Sequence, residues 1–170
     1  MTAPLLDQRD LEFMLYELFD AESLTSRERY ADHNRETFDA AISTSRTVAE
    51  KYFLPIRQKV DTHQPTFDGE KVQMIPEIKE ALDAVVAAGL ASPSADYELG
   101  GMQLPALVAS VSGAYLSAAA SMTMGYIGLT NANANLINAH GTEQQKQKWL
   151  EPMLTGRFAG TMAMSEPGAG

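Results

Sequence analysis

The residues best placed to do chemistry stand at the end of the chain. Ser165-Glu166-Pro167-Gly168-Ala169-Gly170 follows a stretch in which Phe158, Gly160, Met162 and Met164 alternate with Ala159, Thr161, Ala163 and Ser165. Alternation with period two predicts a β-strand over Arg157–Ser165. A hydroxyl at a strand end, followed by a glycine-containing turn, exposes backbone N–H groups and lets a ligand approach closely. That suits a flat, polar-edged cofactor, and it suits an ordinary turn between strands equally well. Gly168-Ala169-Gly170 does not read as a dinucleotide loop. Such a loop joins a parallel strand to a helix inside a βαβ unit, whereas helices precede this strand.

Other candidates are weaker. His33, His63 and His140 are spaced as no metal site favours and read as surface or packing residues. No metal ligand set is predicted. The chain has no cysteine, which removes disulfides and thiolate metal sites and fits a reducing compartment; a cytoplasmic location is expected. The N-terminus lacks a basic segment followed by an apolar one, so no secretory signal is expected. A net charge of −9 with no visible basic face argues against a nucleic-acid partner. Met122 and Met124, near Tyr126, read either as core or as the lining of a ligand cavity.

Helices must position these residues. Leu11, Met14, Leu15, Leu18 and Phe19 form one apolar stripe, with Asp7 or Asp10 as its cap. A polar connector runs from about Ala21 to Arg35. The apolar residues from Phe38 to Ile56 mark a long second helix, whose regular bonding Pro55 interrupts. Asp61 to Val72 reads as a loop, and a third helix spans Ile75 to Ala88, with Pro76 in its first turn and Gly89 at its end. A turn-rich stretch from Ser92 ends in Gly100-Gly101. Two helices follow, Leu104–Ser121 and Thr123–Ala139. Thr142 and Gln145 then form a capping box for a last helix, which Gly156 closes.

Leu99 to Ala139 contains no Asp, Glu, Lys or Arg and is long enough to span a bilayer. Its serines, threonines and asparagines are too many for hydrocarbon, so closely packed core helices are expected and no membrane span. The reading is a mainly α chain: a helical N-terminal domain of about six helices, then the first strand of a β-domain that is cut off. A strand needs a neighbour for its backbone groups, and no other convincing strand precedes this one. The chain is therefore expected to be the opening part of a larger protein.

Two separated motifs resemble the acyl-CoA dehydrogenase family. One is His140-Gly141-Thr-Glu-Gln-Gln-Lys-Gln-Lys-Trp149-Leu150; the other is Thr155-Gly156-Arg-Phe-Ala-Gly-Thr-Met-Ala-Met-Ser165-Glu-Pro-Gly-Ala-Gly170. In that family this helix ends a helical N-terminal domain, and the middle β-domain opens with a Thr-Glu-Pro-x-Ala-Gly-Ser-Asp loop. Gly100-Gly101 before two uncharged helices fits the same pattern. The resemblance covers residues 37–170 and divides the chain into an N-terminal extension (1–36), a helical domain (37–156) and the start of a truncated middle β-domain (157–170). Ala3-Pro4-Leu5 and Phe13-Met-Leu-Tyr-Glu17 resemble the extension of a larger-subunit subgroup that includes 3-methylmercaptopropionyl-CoA dehydrogenases.

The resemblance implies an FAD-dependent enzyme. A base takes the α-proton of an acyl-CoA thioester and the β-hydrogen leaves as hydride to the flavin, giving a trans-2-enoyl-CoA. By motif match, Met162, Met164, Ser165 and Gly170 contact FAD. Ser165, where the family usually has Thr, reaches the pyrimidine edge of the ring. The acyl pocket is expected at Met122, Met124, Gly125, Gly128 and Leu129. No catalytic residue is assigned in this chain, because the family places its glutamate base further on, so the isolated fragment is expected to be inactive. Implied partners are the acyl-CoA substrate, further copies of the subunit in a homo-oligomer, and electron-transfer flavoprotein as acceptor. Alternatives are a non-catalytic helical interaction module, an acyl-CoA oxidase or a flavin monooxygenase.

Overall fold

Asp7 opens the first helix, its carboxylate accepting the Asp10 N–H at 3.0 Å. α1 (Gln8–Glu12) then widens into a π-helical stretch, Phe13–Leu18, and buries Leu15. The structure, a computed structural model, describes residues 4–163 and 165–168. The polar connector is not plain loop: Ala21–Ser26 and Glu28–Tyr30 wind as short 3₁₀ turns. Tyr16 ties this region to the next helix, donating its hydroxyl to Asp39 Oδ1 at 2.5 Å beneath the Arg35 guanidinium. Burial, and then the bond to Asp39, push the Tyr16 phenol above its usual pKa.

α2 (Arg35–Val48) starts at a reciprocal Asn34–Thr37 capping box. It continues as a π-helical stretch Ala49–Phe53, a 3₁₀ turn Leu54–Ile56 and α3 (Arg57–Thr62). Pro55 explains the sequence of windings. It has no N–H to return to the Lys51 carbonyl, so the helix loosens before it and tightens around it. Phe38 and Phe53 are completely buried.

Asp61–Val72, read as a loop, instead carries a hairpin. β1 (Thr66–Phe67) pairs antiparallel with β2 (Val72–Gln73). The missed signal was Asp68-Gly69 between two short extended runs. Gly69 takes φ +104, and the Asp68 carboxylate accepts the Lys71 and Glu70 N–H groups and the Gln73 amide. Those bonds hold its pKa down at about 2.

α4 (Pro76–Ala87) begins with Pro76 in its first turn and ends at Gly89, φ +72, with the Leu90 N–H returning to the Val85 carbonyl at 2.9 Å. α5 (Ala106–His140) packs along α2 and the π stretch after it, with Leu116, Ala119 and Val85 meeting Phe53 in the main core. Two helices were expected here, and α5 does break, at Ala120 (φ −157, ψ 85). α5 is long and apolar enough to cross a membrane by length and composition. The break and the buried Ser112, Thr123 and Thr130 make it a core helix of the bundle.

Thr123 is fully buried, and its Oγ1 has no hydrogen-bond partner among the described residues. Thr123→Val keeps the shape and removes the orphan hydroxyl, so it is expected to stabilise the chain by about 1 kcal/mol in a urea titration. A loss of stability instead would mean that the hydroxyl has a partner.

The strand expected over Arg157–Ser165 forms no ladder among the described residues. The cause lies in its neighbours: among the described residues no sheet edge lies beside it, and the α5 side chains Thr130 and Asn133 meet its backbone instead.

Candidate functional site

The end of the chain is steered by the last helical run. Thr142 and Gln145 form the reciprocal capping box that opens α6 (Glu143–Gln145), which passes through a π-helical stretch Lys146–Leu150 into α7 (Glu151–Leu154). Gly156 ends it at φ +72, where a Cβ would collide with the Val86 side chain. The Phe158 N–H donates to the Pro152 carbonyl at 2.8 Å, and the Phe158 ring tilts against Trp149 at 5.9 Å.

The segment then docks on α5. The Gly160 N–H donates to Thr130 Oγ1 at 2.9 Å, and Asn133 Nδ2 donates to the Thr161 carbonyl at 3.0 Å. A Cβ at Gly160 would stand 2.8 Å from Asn133 Nδ2, so a side chain there would push the Asn133 amide off the Thr161 carbonyl. Backbone groups that a sheet would otherwise satisfy are thus met by side chains.

The predicted site residues separate. Met122, Gly125, Gly128 and Leu129 are exposed on the second half of α5; Met122 and Leu129 are 55% and 41% exposed. Met122, Gly125, Leu129 and Leu136 recur at helical spacing and leave an apolar face open. Added Cβ atoms at Gly125 and Gly128 would meet nothing within 4 Å. Met162 and Ser165 are also exposed, whereas Met164 and Gly170 lie outside the described residues. Docking at Thr130 and Asn133 brings the chain end against the same half of α5 that carries Leu129.

Met124 turns the other way. It is half-buried and lines a cavity of about 560 Å³ between α5, α7 and the loop that follows α4. Ser92, Ala95, Gly113, Asn131 and Leu154 are among its other walls. Asn131 sets one edge, accepting from Ser92 Oγ at 2.9 Å and donating to the Ala91 carbonyl at 2.6 Å. Ser112 also lines it, and its buried Oγ has no partner among the described residues. Polar and apolar groups alternate around the wall, so the space can receive a short chain with hydrogen-bonding capacity.

Sequence reasoning missed the far side of this cavity. Arg29 lines it, pairing with Asp96 at 2.6 Å and donating to the Ser94 carbonyl at 3.1 Å. Its guanidinium is charged at any working pH, and the hydrogen bond to Asp96 raises its pKa further. Outside the cavity lining, His33 Nε2 meets the Met102 carbonyl at 2.9 Å, further along the same loop. No local signal could have found these pairs, because their members lie more than 60 positions apart in the chain.

Comparison with known proteins matches residues 35–157 to the family described as "Acyl-CoA dehydrogenase, N-terminal domain". The chain belongs to the acyl-CoA dehydrogenase family. It is 28% identical over 163 residues to 3-methylmercaptopropionyl-CoA dehydrogenase of Ruegeria pomeroyi, covering 95% of this chain and 28% of that protein. To a butyryl-CoA dehydrogenase of Syntrophomonas wolfei it is 28% identical over 170 residues, covering 98% and 28%. To the mitochondrial short-chain specific acyl-CoA dehydrogenase of Bos taurus it is 32% identical over 137 residues, covering 79% and 30%. The chain thus spans under a third of the length of these relatives. For an acyl-CoA dehydrogenase domain the Gly100-Gly101 pair now has a physical reason. Gly100 sits at φ +78, and a Cβ on Gly101 would overlap the Ala95 carbonyl.

Proposed function

We propose that these residues serve as the N-terminal domain of an FAD-dependent acyl-CoA dehydrogenase, which converts an acyl-CoA thioester to a trans-2-enoyl-CoA. The reading is carried by the docking of Gly160–Thr161 onto Thr130 and Asn133, within a chain whose residues 35–157 match the family domain. That docking supports a site built from both predicted groups of residues, the acyl-side residues of α5 and the flavin-side residues of the chain end.

The residues at hand fit a flavin as one wall of its site. Met162 offers an exposed apolar surface and Ser165 is an exposed residue carrying a hydroxyl. When bound, FAD supplies the hydride acceptor. The protein's part is to hold Ser165 as a hydrogen-bond donor where negative charge builds, and to exclude water with Met162 and Met122. Met164 and Gly170 complete the proposed flavin contacts; Met122, Gly125, Gly128 and Leu129 border the reactive end of the acyl group on the exposed face of α5, and Met124, turned the other way, borders only the cavity. The cavity beside Met124 takes the part of the chain distant from the reacting carbons. The base is a carboxylate from outside these residues, so the chain alone does not turn over. Assembly as a homo-oligomer and electron delivery to electron-transfer flavoprotein belong to the same proposal.

Purification of the polypeptide at the full length of its relatives tests it. A yellow protein with an FAD spectrum is expected; a colourless one that takes up no FAD ends the reading. In that protein Ser165→Ala is expected to weaken flavin binding by about 1 kcal/mol, roughly fivefold, the net value of one hydrogen bond. Unchanged flavin affinity removes Ser165 from the site.

A further inference from the structure

The loop that walls the cavity is tied down unevenly. At its start, Ser92 and the Ala91 carbonyl are held by Asn131 on α5. At its end, Gln103 and Leu104 return their N–H groups to the Ala95 and Pro93 carbonyls, and Leu104 is buried beside Phe38. Between those anchors the stretch 93–99 receives its side-chain ties from the N-terminal segment. Arg29 pairs with Asp96 and donates to the Ser94 carbonyl, while its own carbonyl accepts from Gln103 Nε2 at 3.0 Å. Gln103 is held in the left-handed region, φ +48, as it makes that bond. His33 adds the Met102 carbonyl, with the Tyr97 hydroxyl 3.3 Å from the same ring nitrogen. Arg29 and His33 both precede residue 35, where the family domain begins.

We infer that this N-terminal segment is a latch on the cavity wall, and that Arg29 is the positioning residue through which it sets which acyl groups the cavity admits. The inference rests on the proposed function for its substrate. An exposed ion pair alone contributes little. Arg29 does more because its planar guanidinium spans two acceptors two residues apart, a carboxylate and a backbone carbonyl, which fixes the loop's orientation as well as its charge. A lysine ammonium can neutralise Asp96 without holding both. Ser94, Ala95 and Asp96 line the cavity alongside Arg29, so a loop freed at this point changes the cavity's width and leaves the far side of α5 untouched.

The test uses the complete flavoenzyme and a series of saturated acyl-CoAs of increasing chain length. Arg29→Met is expected to raise KM about fivefold for the chain lengths that fill the cavity, to leave kcat within twofold, and to shift the preferred length. Arg29→Lys is expected to recover part of the KM, and Asp96→Ala, which removes the acceptor itself, to copy Arg29→Met without adding to it. Amide hydrogen exchange read on the same proteins is expected to quicken at Gly101, Gln103 and Leu104 and to stay unchanged along α4. Unchanged exchange at those three amides overturns the latch, even where the enzyme proves to act on another substrate. A KM raised equally at every chain length overturns the specificity role. If Arg29→Met does not fold, the Asp96→Ala profile decides by the same criteria. Absence of any acyl-CoA turnover in the unaltered holoenzyme is a failure of the functional proposal, separate from the exchange result.

Discussion

Gly101→Ala is expected to cost roughly 2–4 kcal/mol, a large fraction of a typical domain's stability. A Cβ at this position would overlap the carbonyl, the C and the Cα of Ala95, which are backbone atoms and cannot rotate away. The Gly101 N–H also donates to the Asp96 carbonyl at 3.0 Å, so any relief by movement gives up a bond in the loop that walls the cavity. The expected observation is a urea midpoint shifted strongly downward with an unchanged slope. Gly100→Ala is the instructive comparison, since no atom lies within 4 Å of its Cβ and only its φ of +78 opposes it. It should cost about 1 kcal/mol. Equal effects at the two positions would mean that conformation, and not contact with Ala95, explains both glycines.

The second large effect is Phe53→Ala, expected to cost roughly 3–5 kcal/mol. Phe53 is fully buried at the end of the π-helical stretch, in the same cluster as Val85, Leu116 and Ala119, so it joins α2, α4 and α5. Truncation leaves a cavity that three helices cannot close together. Met122→Ala, by contrast, should fall within about 0.5 kcal/mol in a urea titration of this chain, because its side chain already faces solvent. A large Met122 effect in this chain would show that the open face of α5 carries folding energy. A Phe53 effect below about 1.5 kcal/mol would show that the bundle closes around the gap.

The helices were legible because their signals are local. Thr142 with Gln145, Pro76 and Gly89 act within one turn of the backbone they terminate, and each does so in the structure; the Asn34–Thr37 capping box was as local a signal and was missed. The disturbance at Pro55 was legible for the same reason: a missing N–H acts on the carbonyl four residues back. The hairpin around Asp68-Gly69 was equally local and was overlooked, its strands being two residues each. The alternation after Gly156 was read as a strand, and no strand forms there among the described residues, because alternation describes side chains and says nothing about a partner. With no neighbouring edge among the described residues, Gly160 and Thr161 bond to Thr130 and Asn133 instead.

What the residues alone determined is therefore the helical bundle, its caps and the motifs that tie it to the acyl-CoA dehydrogenase family. Tertiary structure alone decided which side of α5 each candidate occupies. Helical periodicity gives relative angles but not the direction of the core, so Met124 could be separated from Met122, Gly125 and Leu129 only once α2, α4 and α7 were in place. It also decided the wall of the cavity, where Arg29 meets Ser94 and Asp96 across more than sixty residues of chain. Such contacts depend on how distant segments pack, and no spacing within the sequence encodes them.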